Sequence, residues 1–191
     1  IYFLTKDTAG AIQVARPTIL AAVLTASVAV GVGATGGLGL SIGASLAQNL
    51  IGYDRDGNYL PAEVRAYVDG SSIHATGKLE QTAVNAATID STVYAGSVAV
   101  AAGANAAAAS GAGASTANRI ATRIEATIDD TDGLPGSVND GIDAASVSLL
   151  ARDSAVISTW TGALAIAATV APPSSLALSI GVSLVGNDIS N

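Results

Sequence analysis

The sequence predicts an all-β chain, an elongated β-solenoid or stacked-sheet array built on a unit of about 69 residues. Three observations predict it. The same residue types recur at that spacing, apolar residues alternate with period two, and strand-length runs are broken by Gly, Pro and Asp turn signals.

Recurrence is clearest in three segments that end alike, Ser41 to Ile51, Ser110 to Ile120 and Ser179 to Ile189. Ser41, Ser110 and Ser179 share the spacing, as do Asn49, Asn118 and Asn187, and again Ile51, Ile120 and Ile189. Val64–Asp69 answers Ile124–Asp129, and Val98-Ala99-Val100 answers Val28-Ala29-Val30 and Leu164-Ala165-Ile166. The opening Ile1–Ala9 answers Val147–Ala155, with Leu79–Ala87 as a weaker copy. On this reading, residues 1–52 are the end of a first unit, 53–121 a full unit and 122–191 most of a third, together one continuous repeat domain.

The individual elements follow from period two. Ile1, Phe3 and Thr5 alternate with Tyr2, Leu4 and Lys6; Val28, Val30 and Val32 alternate with Ala29, Gly31 and Gly33; Val64, Ala66 and Val68 alternate with Arg65, Tyr67 and Asp69. Turns are expected at Gly36-Gly37, Asp56-Gly57-Asn58, Asp69-Gly70, Asp132-Gly133, Pro135-Gly136 and Pro172-Pro173. Residues 17–53, 91–118 and 154–186 carry no charge and are long enough to cross a bilayer as helices. They are crowded with Gly, Ser and β-branched residues, which argues for strands, so no membrane span is expected. A membrane barrel would carry aromatic girdles, and the chain has one Trp, five Tyr and one Phe.

Composition narrows the function classes. The net charge is −7 and the eight basic residues are scattered, so no cationic patch exists to hold a nucleic acid. Cysteine is absent, which removes disulfides, thiolate metal sites and a cysteine nucleophile. The chain begins at Ile1 without methionine and shows no signal peptide, and reads as a piece of something longer.

Few residues suggest chemistry. His74, the lone histidine, follows the inward-reading Ile73 and should point to solvent. Gly31-Val32-Gly33-Ala34-Thr35-Gly36 matches a dinucleotide fingerprint formally, but no helix pattern follows it, so these glycines read as turn and sheet-packing residues. Asp54 and Asp56, with Glu63 beyond them, partly match a calcium loop; Asp130 and Asp132 form a second acidic turn. Calcium is the one cofactor these carboxylates suggest. Facing carboxylates with aromatic platforms, as a polysaccharide-cleaving β-helix would need, are not apparent, and no catalytic residue is assigned. The run 106–115 is built of Ala, Gly and Ser, and such a silk-like face allows close nesting of sheets. Ala108 and Ala112 are the residues expected at a packed interface with a neighbouring sheet or subunit.

Segments such as Gly43–Gly52, Val64–Val68 and Ala95–Gly103 resemble the Ala/Gly/Val-rich tandem repeats of very large exported bacterial proteins, adhesin-like and often labelled haemolysin-like or calcium-binding. That resemblance implies an extracellular or cell-surface location. It also implies a spacer, adhesive or fibre-forming role, with self-association or covalent tandem neighbours as partners. The alternative is a calcium- or glycan-binding β module.

Overall fold

The computed structural model describes residues 8–129, 141–170 and 174–191, with side chains from residue 14 onward. Every regular element in it is a strand: β1 (Thr8–Ala15), β2 (Thr18–Val32), β3 (Gly37–Ile51), β4 (Ala62–Asp69), β5 (Ile73–Asn85), β6 (Thr88–Ala102), β7 (Asn105–Asp129), β8 (Ile142–Asp153), β9 (Val156–Val170) and β10 (Ser174–Ser190). Among the described residues no helix is long and apolar enough to cross a membrane.

All named strand pairings are parallel, in three sheets ordered β1-β5-β8, β2-β6-β9 and β10-β7-β3, with β4 also pairing with the second half of β7. The sheet holding β2 packs face to face on the one holding β3. Packing is staggered. β3 lies against both β2 and β6, β7 against both β6 and β9, and β10 against β9.

Pairing puts like on like. Ser41 lies beside Ser110 and Ser110 beside Ser179; Asn49, Asn118 and Asn187 form a second such column, and Ile51, Ile120 and Ile189 a third. Val64 lies beside Ile124, and Val28 beside Val98. Two expected correspondences are corrected. Val98 lies beside Ile166, so Leu164 falls beside Gly96. Ala9 lies beside Leu79, and Leu79 beside Val147, which places the opening segment eight residues from its expected match at Ala155. Ile1–Asp7 lie outside the described residues.

Both slips are even-numbered, and the reason is physical. Alternation decides which face a side chain takes, and a two- or eight-residue slip leaves that face unchanged.

The inner faces hold small residues. Val93, Ala95, Ala112 and Ala114 form one buried cluster, and Ala99, Ala101, Ala106 and Ala108 another. Isoleucines take over near the end of β3 and the start of β6, in a cluster of Ile51, Ala87, Ile89 and Ile120. Glycine brings the backbones closest: a Cβ on Gly43 would collide with the Gly96 carbonyl oxygen across the interface. The layers are therefore nested more tightly than the ~10 Å usual between sheets that meet through larger side chains.

Hydroxyls inside this thin core bond across it. Ser27 and Ser41 are 2.8 Å apart, Thr116 and Thr161 2.9 Å, and Ser97 bonds Ser110. Each pair satisfies polar atoms that burial would otherwise leave without water.

Candidate interaction surface

Of the carboxylates with a suggested chemistry, Asp54 is occupied by the turn that carries it. Segment 52–61 leaves the sheet between β3 and β4, closed by an antiparallel bridge between Tyr53 and Tyr59. Within it, Asp54 Oδ1 accepts the backbone N–H of Asp56 at 2.9 Å and of Asn58 at 2.8 Å, and Oδ2 accepts Asn58 Nδ2 at 2.8 Å. The Asn58 side-chain and backbone donors hold the Asp54 carboxyl below the usual carboxylate range. Glu63 is on β4, beside Arg123 of β7, away from that turn. Asp130 and Asp132 lie outside the described residues. Among the described residues no three His, Cys, Asp or Glu side chains are grouped as a metal site would need.

His74 is exposed, with Ile73 buried beside it, as the alternation predicts; its Nδ1 lies 3.4 Å from Asp143 Oδ2. The 31–36 glycines close β2 and lead by a turn into β3, with no helix N-terminus to receive a phosphate.

Ala108 and Ala112 are inside. They are 3% and 6% exposed, packed within the chain's own two layers. Of the neighbouring sheet or subunit expected there, they meet the facing sheet of their own chain, where only small side chains fit between the nested layers.

What remains outside is the large-residue face. On the β2-β6-β9 sheet, Leu20, Leu24, Val28, Val30 and Val32 project outward from β2, and Trp160, Leu164, Ile166 and Val170 from β9. On the opposite sheet, Leu38, Leu40, Ile42 and Leu46 project from β3, and Leu176, Leu178, Ile180, Val182 and Leu184 are exposed on β10. Leu20 and Leu38 are 81% and 80% exposed. Between those two rows, β7 turns Ala107, Ala109, Gly111, Gly113 and Ser115 outward, so the surface reads ridge, furrow, ridge.

The other sheet carries a cleft of about 400 Å³ lined by residues including Leu24, Tyr94, Gly96, Gly162 and Leu164. Tyr94 lies over Gly162, where a Cβ would meet its ring at 2.7 Å.

Charge on these two sheets is sparse: Asp90 of β6 lies beside Leu20, and Arg119 of β7 lies beside Asp188 of β10. Arg119 also stacks over Tyr53 at 5.5 Å. Elsewhere Arg65 and Arg123 both pair with Glu125, at 2.8 and 2.6 Å.

A third feature runs through the core. Asn49 Nδ2 donates to Asn118 Oδ1 at 2.7 Å, and Asn118 Nδ2 donates to Asn187 Oδ1 at 2.9 Å. Ser91 and Thr159 brace this ladder, at 3.2 Å from Asn49 Nδ2 and 2.8 Å from Asn118 Nδ2. The identical Asn spacing was its sequence signal; the outward Leu/Val/Ile faces had one too, in the alternation, but alternation does not say which of two apolar faces is inside.

No protein-family model matches the chain, and neither a curated protein nor a solved structure matches it.

Proposed function

We propose that this chain is a structural segment of a β-solenoid, coiling once per unit of about 69 residues, in an extracellular or cell-surface fibre or giant adhesin. The observation that carries this reading is the pair of sparsely charged, Leu/Val/Ile-rich outer faces on a thin core of in-register Ser, Ala and Asn. A catalyst would need convergent polar groups at a concave site. Here the core Ser, Thr and Asn groups of the nested layers bond one another, and the cleft by Tyr94 and Gly162 is lined mainly by apolar groups.

Parallel pairing at offsets of 68 to 70 residues supports one coil per unit, with each coil lying on the last. Stagger between the layers supports a continuous advance along an axis. The apolar faces then serve lateral packing, and the segment's work is mechanical: to extend, and to be covered. Paired lysine substitutions on one outer face, Leu24→Lys with Leu164→Lys, test this. Sedimentation velocity should show a self-associating parent and a less associated variant, with unchanged circular dichroism. Equal association of the two would remove lateral packing from the function.

A further inference from the structure

One charge stands on an otherwise uncharged sheet. Of the residues on β2, β6 and β9, Asp90 alone is charged, and no basic side chain accompanies it on those strands. Ile89 and Ser91 beside it are buried, so Asp90 faces outward from the middle strand, between Leu20 of β2 and Ser158 of β9. The next outward row holds Ala22, Thr92 and Trp160, and the row after it Leu24, Tyr94 and Gly162. Successive rows are about 7 Å apart. The chain's one tryptophan therefore stands between the row of the carboxylate and the row of the tyrosine. Trp160 is 66% exposed.

Tyr94 also shapes the hollow beyond that row. Its ring lies over Gly162, a strand glycine whose missing side chain makes the room. Leu24, Gly96 and Leu164 help to close the cleft of about 400 Å³, a size that suits one small organic group. The lining offers little to a sugar, because the Thr25 hydroxyl is turned inward to the Ala44 carbonyl and to Ser45. An apolar hollow, an exposed indole and a carboxylate thus follow one another along the strands, over roughly 15 Å.

We propose that this line is a binding site for a small organic cation with an apolar tail, an alkylammonium amphiphile. The tail fills the hollow against Tyr94 and Leu164. The ammonium rests on Trp160, indole being the ring that draws cations most strongly, and Asp90 supplies the opposite charge. Ring and carboxylate select the sign of the head, and the hollow selects the tail. An anion of the same length meets a repelling carboxylate instead. The site needs only the β2-β6-β9 face, whatever the chain assembles into.

With a single tryptophan in the chain, Trp160 fluorescence reports on this site alone. Octyltrimethylammonium, kept below the concentration at which it forms micelles, should change that emission saturably. Octanoate, which has a negative head, and tetramethylammonium, which has no tail, should each need about tenfold more. Asp90→Asn should raise the midpoint about threefold, the scale of an exposed charge pair. Gly96→Val puts a branched side chain into the hollow, where an added Cβ meets only the Thr25 carbonyl oxygen at 3.7 Å. That variant should lose saturation with circular dichroism unchanged. Asp90→Asn preserves shape and decides the matter should Gly96→Val fail to fold. Equal midpoints for octyltrimethylammonium and octanoate, or for the parent and Asp90→Asn, would overturn the proposal. So would saturable binding that persists in a folded Gly96→Val. Emission that responds to protein concentration and not to the amphiphile would assign this face to a second copy, and the cation site would be wrong.

Discussion

Asn118 makes three hydrogen bonds with its side chain. It is fully buried, accepts from Asn49, and donates to both Asn187 and Thr159. Replacing it by leucine strands buried amide groups on its neighbour, which costs about 1–3 kcal/mol per unpaired group. Asn118→Leu should therefore lower the urea midpoint more than Asn187→Leu, which stands at the exposed end of the ladder; equal midpoints would show that the ladder does not act as a unit. Gly43 poses the opposite problem. Its missing Cβ leaves room for the Gly96 carbonyl, so Gly43→Ala forces the layers apart and should cost about 1–3 kcal/mol in a thermal melt. Gly111, where an added methyl group would meet nothing within 4 Å, should accept alanine without loss. Columns built on Ser and Asn were legible in the sequence because their chemistry demands identical residues at equal spacing. The slipped matches at Ala9 and Leu164 were not, because alanine, valine and leucine meet the demands of an apolar row at any even offset.

At the scale of single elements, the excursion between β3 and β4 stands on Asp54. Its carboxylate gathers two backbone N–H groups and the Asn58 amide, all favouring the charged form. The folded carboxyl titrates lower than the unfolded one. Its contribution to the turn is therefore present above the ordinary aspartate range and is lost as pH falls through the lowered value. An NMR titration of Asp54 should show that low midpoint, returning toward the ordinary range in Asn58→Ala; an unchanged midpoint in the variant would remove Asn58 as the cause. The acidic turn was visible in the sequence as a place where carboxylates gather. Its use was not visible, since a calcium loop and a self-capped turn draw on the same Asp, Gly and Asn residues and differ only in what the oxygens face.

For the whole molecule, the decisive fact is a local inversion of size: between the nested layers lie mostly small side chains, with large ones outward on β2, β3, β9 and β10, whereas Leu79, Ile89 and Ile120 fill the core elsewhere. A core of alanine, serine and glycine is thin, so close layers bury backbone and short side chains together. Charge at Ala108 would then be unpaired inside the chain, and Ala108→Asp should abolish folding as read by circular dichroism. A folded variant would place that side chain elsewhere. Strands with two alternating faces were readable from the sequence. The assignment of inside and outside was not, because both faces lack charge over residues 17–53 and only the separation of the layers decides which can fit between them.

The departure at 52–61 leaves the register of the sheet intact. Ile51 pairs with Ile120 and Ala62 with Thr122, so that whole segment stands against the single residue Ala121. The strand pairing resumes across the gap as though the excursion were not there. Length at this corner is thus decoupled from the architecture, and foreign peptide inserted after Gly57 would hang from the side of the stack as cargo. A scaffold with such a corner can change what it displays without changing what it is.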